Sequence, residues 1–421
     1  MEGVMKSKTF LVLLAVCALL ALASLLVFQD DEDRTATTPE GADFFANLPV
    51  NDVTGLTLSG PEGEVVLAKG GTVWRVENRY GYPADFDDIR EFILKVRDLK
   101  VGRTFTADAD SRRRLSLLPP DAEGADAEHR GTRVVLQKGD APPVADLIIG
   151  NARETDTGSG GHYLRRADGD TVFLVNESFR FLELDPAEWL APDLLDISAA
   201  DVRRVTCLNA ATGQELYRIE RPEKGQPPVF IDPAPGDRTV ATSKVTNLFS
   251  ALDNLTLEDV ADPETEAREM GLETPLCHEF WLFDGTTYTV CKGRPLPEDE
   301  NQHYLRATAG YRAPPEPAPA AETESEGDAP DAAEAEAAPT DEETAEAAAE
   351  ETDEAPGPAQ VAAEAEQKNE ALSKWTFVVP KWKVGRLETD VAEFFETPEP
   401  AASETPPENG PAMPSMEGTR P

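Results

Sequence analysis

Basic side chains are scarce in this chain. Its 421 residues hold 39 Lys and Arg against 80 Asp and Glu, a formal net charge of -41. Phosphate backbones are bound by basic faces, so this balance excludes nucleic acid as a partner. Glycine-rich nucleotide motifs are missing as well: there is neither a P-loop nor a dinucleotide fingerprint. The four Cys and four His show no zinc-ligand spacing, and no cofactor is expected. Aromatic side chains stop between Tyr311 and Trp375. Much of the negative charge crowds into that interval, so the remaining segments are only moderately acidic.

What is present begins with one long apolar run. Lys6 and Lys8 precede Thr9 to Phe28, which carries no charge, and Asp30, Asp31, Glu32 and Asp33 follow. About twenty residues at about 1.5 Å rise cross a hydrocarbon core of about 30 Å. The charge asymmetry predicts a cytoplasmic stub over 1–8, a single-pass transmembrane helix over 9–28 and an extracytoplasmic bulk. A cleaved signal peptide is the rival, with Ala21-Leu22-Ala23 as its site. The apolar residues Leu25 to Phe28 continue past that site and favour an uncleaved anchor. Cys17 follows Val16, where a lipoprotein signal needs a small residue.

His162-Tyr163-Leu164-Arg165 recurs as His303-Tyr304-Leu305-Arg306. Around the first copy, short apolar runs separated by Gly-Pro and Lys-Gly-Gly turns read as antiparallel strands. Asp85 caps a helix whose apolar face is Phe86, Ile89, Ile93 and Val96. Around the second copy, Thr242 or Ser243 caps a helix with the face Val245, Leu248, Leu252 and Leu255, at a constant offset of 159 residues. These matches predict an α+β protein: a linker over 29–43, unit one over 44–197, and unit two over 201–395, the two tandem antiparallel-sheet-plus-helix units being related by internal duplication. Phe173 matches Phe377, which places an acidic insert, 313–370, between two paired strands of unit two. The insert and the tail 396–421 are expected to be disordered, at most transiently helical around Ala345 to Glu350, because they have little apolar surface to bury.

Few residues point to chemistry. Asp156-Thr157-Gly158-Ser159 spells an aspartic-protease motif, but polar Asn151 to Thr155 precede it and no second copy appears. It reads as a glycine-rich loop, and no catalytic residue is assigned. Gly158 to Gly161 has the wrong order for a serine nucleophile loop. Cys277 and Cys291 flank a hairpin turning near Asp284-Gly285, which leaves two alternatives: a disulfide in an oxidising periplasm, or two reduced buried cysteines. His278 beside Cys277 lacks a metal-ligand pattern. His162 and His303 read as structural histidines at strand edges, and Trp74, Trp189, Trp281, Trp375 and Trp382 as core.

Several of these pieces together are familiar: Val73-Trp74-Arg75-Val76, then Gly81-Tyr82-Pro83-Ala84-Asp85 leading into a helix that ends Leu99-Lys100-Val101, then Leu147-Ile148-Ile149-Gly150, and Tyr163-Leu164-Arg165 before Val172-Phe173-Leu174-Val175. With the anchor, they resemble the domain of unknown function 4340 family, closely over Leu48 to Ile197 and loosely over Val202 to Phe395. The resemblance implies a membrane-anchored partner of the permease and ATPase subunits of gliding-motility-type ABC transporters, and supplies no catalytic residues. The expectation is therefore a non-enzymatic inner-membrane accessory or scaffold subunit with its bulk in the periplasm. A periplasmic peptide- or glycan-binding module is the alternative, and an envelope hydrolase a more distant one.

Overall fold

The computed structural model describes residues 39–155, 158–315 and 356–396. The anchor run 9–28, Asp156 and Thr157, most of the acidic insert and the tail from 397 lie outside them. The fold is mixed α+β, with mostly antiparallel sheets and few helices. Among the described residues, no helix is long and apolar enough to cross a membrane. By contact density the chain divides into two units: residues up to 193 with 256–265 and 376–378, and residues 194–255 with 266–375 and those from 379 on.

Unit one contains strands β1 (Gly55–Ser59), β2 (Glu64–Gly70), β3 (Val73–Val76) and β4 (Tyr82–Pro83), then helix α1 (Phe86–Arg97) and strand β5 (Val101–Thr106). Helix α2 (Ala109–Arg114) and strands β6 (Thr132–Gln137), β7 (Ala145–Thr155), β8 (Gly158–Arg166) and β9 (Thr171–Val175) follow. They form one sheet in the order β4-β3-β2-β1-β6-β7-β8-β9-β5. Alternation in β1 sets the register: Leu56 lies between Leu67 and Leu136, and Leu58 between Val65 and Val134. All six side chains are buried, each contributing about 1.5–3 kcal/mol.

Helix α1 starts as expected, since the Asp85 carboxylate accepts from the N–H groups of Asp87 and Asp88. Its buried face is Ile89, Phe92, Ile93 and Val96, at the i, i+3, i+4, i+7 spacing of a helical stripe. Phe86 is not part of it. As the first helical residue it sits at the rim, 56% exposed, and Phe92 takes the inward position.

Unit two begins with β10 (Val202–Asn209), β11 (Glu215–Glu220), β12 (Val229–Asp232) and helix α3 (Thr242–Phe249). The short strand β13 (Asp259–Val260) groups with unit one; then come β14 (Leu276–Leu282), β15 (Thr286–Pro295), β16 (Gln302–Tyr311), helix α4 (Pro358–Leu372) and β17 (Phe377–Pro380). Its strand order is β12-β11-β10-β14-β15-β16-β17, the order that β3-β2-β1-β6-β7-β8-β9 has in unit one.

A local device occurs in both units. In unit one the chain turns after α2 through Ser116 at φ 54°, and Leu117 N–H donates to Arg112 O at 2.8 Å. In unit two it turns through Gly271 at φ 71°, and Leu272 N–H donates to Ala267 O at 2.7 Å. Each turn meets a β-bulge, between Ile149 and Ala152 in β7 and between Lys292 and Pro295 in β15. Asn151 N–H donates to Leu115 O at 2.9 Å, and Arg294 N–H to Met270 O at 2.8 Å. Gly150 and Gly293 allow this approach, because a Cβ on either would overlap that same carbonyl oxygen.

Four other expectations are corrected. The α3 N-cap is Ala241, without a side-chain cap, rather than Thr242 or Ser243; Thr242 lies inside the helix, and its carbonyl accepts from Thr246 Oγ1. Leu252 and Leu255 are buried but lie beyond the helix, whose C-cap is Ser250 and after which Asn254 turns at φ 49°. Residues 358–370, assigned to the disordered insert, belong to α4, which packs on β16 through buried Val361 and Ala365. Ala, Gln and Glu are strong helix formers, and small Ala365 lets the helix approach the sheet without aromatic anchors. Trp382 is exposed, with the Lys383 ammonium 4.9 Å and the Arg386 guanidinium 5.8 Å from its ring centroid.

Candidate functional site

The repeated histidines are buried inside sheets, not at strand edges, because β8 lies between β7 and β9, and β16 between β15 and β17. His162 Nδ1 accepts from Phe179 N–H at 3.2 Å. His303 Nδ1 is 3.3 Å from Gly293 O and so donates to it. Burial pushes both imidazoles below their ordinary value, which keeps them neutral. Arg165 binds backbone instead of solvent: Nε donates to Leu117 O at 2.9 Å and Nη1 to Ala167 O at 2.8 Å. Arg165 thereby ties β8 to the turn after α2, while His162 and His303 bond to the backbone at Phe179 and Gly293.

Cys277 and Cys291 stand directly opposite each other in the β14–β15 register and are joined as a disulfide. The hairpin between them turns through Phe283, Asp284 and Gly285, with Thr286 N–H donating to Asp284 Oδ1 at 2.8 Å. Bonding removes the Cys277 sulfur as a metal ligand beside His278. His278 instead points into a buried cluster that the sequence did not reveal. Its Nε2 lies 2.9 Å from Tyr217 Oη and 2.9 Å from Glu388 O. Tyr217 Oη donates to Glu388 O, so the proton of His278 sits on Nε2, and Nδ1 carries a buried lone pair with no hydrogen-bond partner among the described residues.

Cys207 lies across from both Tyr217 and His278 in the sheet. Burial pushes the Cys207 thiol up to about 12 and His278 down to about 4, and raises the Tyr217 hydroxyl too. All three are therefore neutral at pH 7, and a neutral buried thiol is inert as a nucleophile. Phe394 covers the cluster, 5.0 Å from the Tyr217 ring and 5.4 Å from that of Phe230. Its chemistry is that of a polar latch holding the segment 388–394 on the sheet. Asp126, Glu128 and His129 also converge, but their carboxylates are exposed, as acidic groups on a surface commonly are.

Among the described residues, apolar grooves lie beside the first helix of each unit. In unit one Trp74, Ile93 and Val53 form a pocket of about 360 Å³, with Lys69, Arg90 and Arg97 around it. In unit two Val229, Phe230, Val240, Val245 and nearby prolines line about 770 Å³, with Arg221 in the wall. Lys69 and Arg221 occupy matching places, since Lys69 N–H donates to Thr54 O at 2.8 Å and Arg221 N–H to Arg203 O at 2.7 Å. Lys69 is exposed, whereas Arg221 is only 9% exposed. A proline-rich stretch around a short strand, Gln226-Pro227-Pro228 through Pro235, was the signal in the sequence for a concave wall.

Residues 74–275 match the family model described as Domain of unknown function (DUF4340). The match runs from β3 to the residue before β14 and so takes in parts of both units. No curated protein and no solved structure matches the chain.

Proposed function

We propose that this chain, which carries the DUF4340 family's domain over residues 74–275, is a non-enzymatic, membrane-anchored accessory or scaffold component of an ABC-transporter-type envelope system. Thr9 to Phe28 is its single inner-membrane span, residues 1–8 are cytoplasmic, and both folded units face the periplasm. The observation that carries this reading is the Cys277–Cys291 disulfide, because structural disulfides persist in oxidising compartments and are rare in the cytosol. The charge asymmetry around Thr9 to Phe28 supports the same side of the membrane. Permease and ATPase subunits are the proposed partners on the strength of the family resemblance.

Internal duplication is part of this reading. It is supported by the common strand order and by the repeated pairing of a left-handed turn with a glycine bulge, at Ser116 with Gly150 and at Gly271 with Gly293. A second reading, a periplasmic binding module, draws support from the apolar groove of unit two. The hydrolase reading gains nothing from His278, Tyr217 and Cys207, which are sealed and neutral.

Extraction of the full chain from membranes in mild detergent, followed by mass spectrometry of what co-purifies, tests the proposal. A multi-span permease and an ATPase are expected. Recovery of the intact chain as a soluble periplasmic species, or from membranes without either subunit, would overturn it.

A further inference from the structure

We propose that the groove between α3 and β12 in unit two is a binding site for a small apolar carboxylate, held by Arg221. This rests on the groove alone and stands whether or not the chain serves a transporter. The walls come from Phe230, Val240, Val245 and Pro228, and about 770 Å³ lies within the range of small-ligand sites. Into this apolar surface unit two places one guanidinium. Its Nη1 is committed, donating to Ala199 O at 2.9 Å and Ala200 O at 3.0 Å. Its Nε is buried and has no acceptor among the described residues.

The Nε is closed off from the groove, with Cζ 5.3 Å from the Phe249 ring centroid, whereas Nη2 makes no hydrogen bond among the described residues and is the donor left for a ligand. A carboxylate accepts a charge-assisted hydrogen bond from such a nitrogen. The backbone favours an anion as well. Helix α3 begins at Thr242 in the groove wall, and its N-cap, Ala241, offers no side-chain acceptor to the first N–H groups. The Asp201 carboxylate also acts on Arg221, but its charge is engaged by Lys224 Nζ at 2.7 Å. That nearby negative charge and the scarcity of further cations favour a monoanion over a phosphate. The matching groove of unit one has exposed Lys69 at this place, a hydrated point charge with no fork, so the assignment is to unit two.

A carboxylate on an apolar body can come from a free acyl chain or from the C-terminal residue of a peptide. Both are tested on the full chain in amphipol by ligand-observed NMR, using hexanoate against hexanamide and N-acetyl-leucine against N-acetyl-leucinamide. The acid should bind about tenfold or more tighter than its amide, the contribution of one charge-assisted contact. Preference for hexanoate identifies an acyl source, preference for acetyl-leucine a peptide terminus, and binding of both the shared chemistry alone. Arg221→Gln should abolish the acid preference. Because Arg221 also holds two backbone carbonyls, Thr246→Trp is the second variant. Thr246 is an exposed residue of the groove wall, and an indole there fills the space while Arg221 is retained. Circular dichroism reports whether each variant is folded. Equal affinity of acid and amide, binding unchanged in Thr246→Trp, or no binding of any probe at millimolar concentration overturns the proposal.

Discussion

Reducing the Cys277–Cys291 bond is the most quantitative perturbation of unit two. The bond joins residues 14 apart in sequence, closing a loop of about fifteen residues. In the chain-entropy treatment such a loop restricts the unfolded state by about 3 kcal/mol at 25 °C. The native state opposes little of this, because β14 and β15 remain paired through His278 with Val290 and Glu279 with Thr289. Cys277 is fully buried, and reduction leaves both sulfur atoms in place without opening a cavity. Loss of about 3 kcal/mol is therefore expected from unit two and little from unit one. Urea unfolding of a variant retaining only Trp281, which lies on β14, reads unit two with and without reductant. A companion variant retaining only Trp74 reads unit one. A loss below about 1 kcal/mol at Trp281, or an equal shift at Trp74, would refute the loop-entropy argument.

Gly150→Ala and Gly293→Ala should each destabilise by about 1–3 kcal/mol or more, since each added methyl meets a carbonyl oxygen that cannot recede; thermal melts showing a neutral effect at both positions would remove the bulge from the packing scheme. His278 has a folded-state value near 4 against 6.5 for the ordinary group. The unfolded chain thus takes up the proton first, and stability should be level above about pH 6.5, fall between about 6.5 and 4 by about 3 kcal/mol, and level off below. His162 and His303 are pushed the same way, so His278→Asn should flatten the slope measured by urea titration only in part, and an unchanged slope would deny His278 its role. Joining residue 315 to 356 through a short Gly-Ser linker should leave the melting temperature unaltered, as closure entropy varies slowly with loop length. Extending the deletion through Leu372 should lower it, because Val361 and Ala365 leave the face of β16.

Some of this architecture was decided within a few residues of chain, and those parts are legible in the sequence. Alternation at Leu56 and Leu58 makes a strand whichever partners it finds. Asp85 caps its own helix, and a turn at Asp284-Gly285 with cysteines at equal distance on either side sets them opposite one another. The strand order common to the two units is legible for the same reason, as it follows from local spacing and the order of elements. What tertiary structure decided depends on residues far apart in the chain. Whether Phe86 or Phe92 faces inward is a choice made by the surface beneath α1, since both are apolar residues of the same helix. Helix α4 was hidden because its composition is that of a solvated segment; only the surface of β16 makes Val361 and Ala365 a buried stripe. The meeting of Tyr217, His278 and the Glu388 carbonyl joins residues 61 and 171 positions apart, a separation at which no spacing rule applies. Arg221 is the same case. In sequence it is one arginine in an acidic chain, and only the fold withdraws it from water and leaves its Nη2 without a hydrogen bond among the described residues, beside an apolar groove.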